Sequence, residues 1–144
     1  MKKKIKEYLK ELAEFALNNC KLSLEDVELL EFYDVKANNK PEACLKIFSQ
    51  LQAPALLEYA MIAKGFKPGT TSVYRSKSGK YVVRMEFNNW FPEIDRNGST
   101  QLNISWIFDV KKIGKKQYHV KLVDVSACAW HWHKGEIYAK VVYK

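Results

Sequence analysis

Glycine, proline and cysteine are scarce in this chain, and their scarcity removes several functions at once. Six glycines in 144 residues leave little material for a loop that cradles phosphate, and neither G-x-x-x-x-G-K-[ST] nor G-x-G-x-x-G occurs. The G-x-S-x-G elbow of serine hydrolases and the H-E-x-x-H pair of zinc hydrolases are missing too. Cys20, Cys44 and Cys128 are an odd number without C-x-x-C spacing. That excludes a paired disulfide framework and a zinc knuckle, and it suits free thiols in a reducing compartment. No apolar run approaches the roughly 20 residues of a membrane-spanning helix. Glu7, Glu11 and Glu14 interrupt the opening "MKKKIKEYLKELAEFALNN", where a signal peptide would be continuously apolar. A soluble, cytoplasmic protein with no membrane partner is expected.

What is present suffices for one core. Hydrophobic residues make up 47% of the chain and aromatics 13%, and a chain of this size buries about two thirds of the surface its unfolded form exposes. The net charge of +8 is uneven: residues 1–70 carry 11 Lys against 10 acids, and the remainder carries 13 Lys plus Arg against 6. The change in charge coincides with a change in hydrophobic period. It marks two layers of a single domain over residues 1–144, because neither half makes a comfortable core alone.

Residues 3–64 read as helices. Ile5, Tyr8, Leu9, Leu12, Phe15 and Ala16 recur at three and four residues, so a first helix has one apolar face. Ser23 stands three residues before Asp26 and fits a helix N-cap, with Asp a poorer match to the capping box than Glu or Gln. Pro41 and Pro54 sit near two further helix starts, where a missing amide donor costs little. Leu45, Phe48 and Leu51, then Leu56, Leu57, Ala60 and Met61, are assigned to buried faces.

From Thr70 the period becomes two. Tyr81, Val83, Met85 and Phe87 alternate with polar neighbours, as do Leu102, Ile104, Trp106, Phe108 and Val110. Lys134 and Gly135 form a tight turn into a last strand. The predicted fold is α+β and two-layer: N-terminal helices on one face of a curved antiparallel sheet, a meander of about five strands over residues 70–144. In outline this resembles the cystatin-like and nuclear-transport-factor-like architecture. Helices of that class flank an early strand, and no strand pattern stands before Thr70; the resemblance is of layers and implies no activity.

The candidate functional residues lie in the second half. His131-Trp132-His133 is an H-x-H pair that can chelate a metal from one strand face, with His119 or Glu136 completing the set. Burying Trp130 and Trp132, however, turns both histidines outward into solvent, so no metal or other cofactor is expected. Upstream, Tyr118, Val120 and Leu122 share the even phase, but Asp124 and Ser126 break it. Either a bulge shifts the register there, the favoured reading, or Asp124 points inward as an acid or base. Trp90 and Phe91, in the connection "FNNWFPEIDRNGST", are candidate partner anchors. Lys111, Lys112, Lys115 and Lys116 form a basic turn suited to phosphate or an acidic protein.

Polar groups are spread over strand faces and helix backs instead of converging on one place. The reading is a non-catalytic binding module with a protein partner, acidic in view of the charge. The alternative is a ligand-binding or catalytic cone between the layers with Asp124 inside. Charge-driven nucleic-acid binding ranks third, because the outward strand phase offers Tyr138 as the one clear aromatic for stacking.

Overall fold

The computed structural model describes residues 2–90 and 93–143. Phe91, one of the expected partner anchors, lies outside the described residues. Helices α1 (Lys2–Asn18) and α2 (Leu24–Phe32) precede a short strand β1 (Val35–Lys36); α3 (Lys40–Gln50) and α4 (Gln52–Ala63) then complete the helical layer. Strands β2 (Lys67–Arg75), β3 (Tyr81–Asn89), β4 (Gly98–Gly114), β5 (Gln117–His133) and β6 (Glu136–Tyr143) follow as the expected antiparallel meander. Their order is β1-β5-β4-β3-β2, with β6 also on β5. The helices cover one side of the curled sheet, so the α+β two-layer class holds.

Strand β1 corrects the expectation of no strand before Thr70. It pairs Val35 with Tyr118, and Ala37 N donates to Lys116 O at 3.1 Å. Two residues carry no alternation for a periodicity argument to detect.

The helical layer is tied together by one carboxylate. Ser23 and Asp26 form a complete capping box on α2 despite the shorter acid. Helix α4 has no side-chain cap of its own, since its N-cap is Leu51. Asp26 takes that role: Oδ1 accepts from Gln52 N at 2.7 Å and Oδ2 from Ala53 N at 2.9 Å. A buried carboxylate is thereby satisfied by backbone donors from two helix N-termini. Asn39 caps α3 with Pro41 in its first turn, as the sequence implies.

The core lies between the layers. Trp106 is fully buried, as expected, with Nε1 donating to Met85 Sδ at 3.2 Å and Phe48 edge-on to its ring. Cys20 and Cys44 sit in this core, where burial pushes their thiols up to about 12 and leaves them unreactive.

Register decides what the sheet presents. Ile107 pairs with Asp124 and Phe108 with Leu122, so Val123 is an extra, unpaired residue, a β-bulge. Before it the even residues Tyr118, Val120 and Leu122 face the helices; after it the odd residues Val125, Ala127, Ala129 and His131 do. The expectation that Trp130 and Trp132 are buried and the histidines solvated is therefore overturned. Space is the physical reason: Ala127 and Ala129 are buried where α1, with Ala13 and Ala16 buried, packs on β5, and no indole fits between surfaces that close. Asp124 is exposed on the outer face, where Oδ1 accepts from Val125 N, so the cone with Asp124 inside does not exist. In β6, Tyr138 is a second extra residue, so His131 lies opposite Ala139.

Removing Asp26 should loosen α2 and α4 together. Asp26→Ala is expected to cost about 3 kcal/mol in urea denaturation, because several buried donors lose their acceptor, while Glu28→Ala at an exposed site stays within about 0.5 kcal/mol. A cost for Asp26→Ala below about 1 kcal/mol would contradict this capping role.

Candidate functional site

The phase after the bulge brings three polar groups together at the end of the sheet where β4 begins and β5 ends. His131 Nε2 lies 2.8 Å, and His133 Nδ1 2.6 Å, from the same oxygen, Oδ2 of Asp95. Asp95 belongs to the connection between β3 and β4, and its Oδ1 accepts from Asn97 N at 3.0 Å. His131 is only 3% exposed, Asp95 is buried, and His133 is half-buried. The hydrogen bonds from His131 and then His133 hold the Asp95 carboxyl down to about 2, against a smaller opposing effect of burial.

An ionised acceptor fixes the protons. Both nitrogens that face Asp95 carry hydrogen, since two lone pairs at these distances would repel. In singly protonated His131, Nδ1 is then an acceptor, and Thr100 Oγ1 lies 3.1 Å from it. Thr100 in turn bonds the Tyr8 hydroxyl on α1, whose own ionisation is pushed strongly up by burial. The result is a chain from Tyr8 through Thr100 and His131 to Asp95, linking helix, strand and loop.

Gly98 makes this approach possible. A Cβ there would stand 2.4 Å from Asp95 Oδ2 and 2.5 Å from His131 Nε2, so any side chain would force the pair apart. The same crowding bears on metal binding: both ring nitrogens donate to one carboxylate oxygen, and Gly98 closes the near side. Among the described residues no group of three His, Cys, Asp or Glu is arranged to hold a metal ion. Of the expected completing ligands, His119 lies elsewhere, paired to Asp34 at 3.0 Å, and Glu136, opposite His133 at the start of β6, is exposed.

The other nitrogen of His133 makes no hydrogen bond among the described residues, and two clefts flank this end of the sheet. One, of about 500 Å³, is lined by Lys4, Ile5, Tyr8, Glu93 and Ile94. The other, of about 480 Å³, lies between Trp90 and Trp132. Neither cleft is lined by His133. The cluster works as a clamp that pins the 93–97 segment to the sheet.

Alternation along β5 places Trp130 and Trp132 on the opposite face, half-buried. Lys140 Nζ lies 5.4 Å from the Trp130 ring centre. Trp90 is 59% exposed beyond the clamp, its Nε1 donating to Arg96 O at 3.1 Å. Lys111, Lys112, Lys115 and Lys116 are exposed at the far end of the β4–β5 hairpin, remote from Trp90.

Sequence reasoning missed two features. Asp95 stands 36 positions before His131, and the D-x-N-G stretch around it signals only a turn. Leu45 on α3 and Leu56 on α4 are expected at buried faces, yet both are exposed, Leu56 with Tyr59 and Ile62 beside it. The signal was there: the twelve residues of α4 contain one charge, Glu58.

Acid unfolding tests the clamp. A carboxylate whose folded pKa is depressed from 3.8 to about 2 contributes stability that is complete above pH 4 and lost as pH falls towards 2. Wild type is expected to lose stability through that window in urea titrations at successive pH values. Asp95→Asn should be less stable at neutral pH and lack this part of the decline; an equal acid slope in both proteins would dissolve the clamp. Compared with protein-family models, curated proteins and solved structures, the chain matches none.

Proposed function

We propose that the chain is a small non-catalytic binding module that engages another protein through the outer face of α4. The observation that carries this reading is the exposure of Leu56, Tyr59 and Ile62, at 60%, 76% and 50%. Spaced three apart, they form one strip along the helix, continued by exposed Ala55 and Ala63. A helix that is apolar all round belongs in an interior. Here α4 buries Ala53, Leu57 and Met61 against its own domain and leaves an equally apolar face to water. Contiguous exposed apolar side chains of this kind mark interaction surfaces, and tyrosine with large aliphatic neighbours is a suitable anchor.

The charge adds a preference. At +8 the chain attracts an acidic partner and accelerates its approach, while the apolar strip supplies the lasting contact. A catalytic reading has less support, since the Asp95 carboxylate is already engaged by His131, His133 and the Asn97 amide.

Photo-crosslinking from position 59 tests the proposal, with Lys10 on the exposed side of α1 as control. A discrete heterologous protein is expected to crosslink from position 59 and not from position 10, and Leu56→Asp with Ile62→Asp should abolish it without lowering the thermal midpoint. Equal capture from both positions, or capture of a second copy of this chain alone, would overturn the reading.

A further inference from the structure

The outer face of the sheet carries a row that crosses all five long strands. Lys140 pairs with Trp130, Trp130 with Gln101, Gln101 with Asn88, and Asn88 with Lys67. Residues paired across antiparallel strands share a face, so a tryptophan and two amides lie between terminal lysines over about 19 Å. Trp132 stands beside Trp130 two residues on, opposite Ser99. Trp90 rises at the same end as a ridge between two clefts: one of about 480 Å³ walled by Trp132 and rimmed by Arg96 and Asn97, the other of about 420 Å³ bounded by Lys67, Asn88 and Asn89. Three of the four tryptophans therefore meet at one basic, amide-rich surface.

Their placement there needs a reason. Packing excludes indoles from the inner side of β5, but serine or threonine would serve the outer side equally well. The Trp90 N–H is already satisfied by Arg96 O, which leaves the ring face as its contribution to a ligand. Aromatic faces accept any stacked planar group, and amide side chains bond the edges of bases. Amides and indoles also suit sugars, and the cations separate the two. Lys67, Lys140 and Arg96 surround the aromatics, whereas Glu86 stands in the next row and Glu136 at the start of β6, opposite His133.

We propose that this outer face, from Lys140 across Trp130 to Trp90 and Lys67, binds single-stranded nucleic acid. Bases stack on Trp90, Trp130 and Trp132, and phosphates lie along the lysines and Arg96. The buried clamp contributes indirectly: by fixing the 93–97 segment it holds Trp90 and Arg96 in place before the ligand arrives, reducing the ordering cost of binding. This site lies on the opposite layer from α4 and is independent of the protein-binding reading.

Fluorescence anisotropy with an oligothymidylate of about twelve nucleotides tests it on the full chain. Binding in the micromolar range at low salt is expected, with log affinity falling against log salt at a slope of about −2 for roughly three phosphate contacts. Trp90→Ala should weaken binding about tenfold and Trp90→Phe should largely restore it, since stacking needs a ring and not an indole. Lys67→Glu with Lys140→Glu should flatten the salt dependence, while Lys112→Glu at the distant hairpin tip has little effect. The proposal is overturned if the oligonucleotide fails to bind at low salt, if Lys112→Glu matters and Trp90→Ala does not, or if neutral maltohexaose binds at this face while the oligonucleotide does not.

Discussion

One residue too many in β5 governs this molecule. Val123 has no partner on β4, and the phase of everything after it is reversed. A strand has a period of two, so a single insertion moves every later side chain to the other face, and only a second insertion in that strand would restore it. The bulge also bends the long hairpin, as a sheet that curls around helices requires. Tyr118 and Val120 before it and Ala127 and Ala129 after it thus line the same core, although they differ in parity.

The chemistry at the end of the sheet follows from that reversal. With odd residues inward, His131 arrives beneath the β3–β4 connection, where Asp95 meets both its ring and that of His133. Burying a carboxylate is costly unless it is paired and hydrogen-bonded, and here two imidazoles and a backbone amide satisfy it. Gly98 permits the close approach, and Thr100 joins the network to Tyr8 on α1. The outer tryptophans are the other half of the same event, since each inward histidine is preceded by an outward indole.

Much of the architecture was legible in the sequence, for identifiable reasons. Helix α1 announces itself by its apolar stripe, α3 by Pro41 near its start, β4 by five alternating apolar residues, and the last turn by Lys134-Gly135, both at positive φ. The irregular position near Asp124 was legible too, and a bulge was the favoured explanation. Its consequence for the histidines is not legible, because tryptophan outranks histidine in any argument from hydrophobicity, whereas the deciding factor is the space left by Ala13 and Ala16 on a helix more than 100 positions away. Strand β1 is too short for periodicity to register. The Asp95 contact depends on tertiary placement alone, and the exposure of Leu56 could have been suspected only from a helix with too few charges.

The claim that the bulge turns the histidines inward is tested most directly by deuterium exchange at the imidazole C2 position, followed residue by residue with mass spectrometry. His131, enclosed between sheet and clamp, is expected to exchange slowest, half-buried His133 at an intermediate rate, and His119, with about a third of its side chain exposed, fastest. Exchange at His131 as fast as at His119 would contradict the account, and would mean that β5 runs through the sheet in the opposite phase.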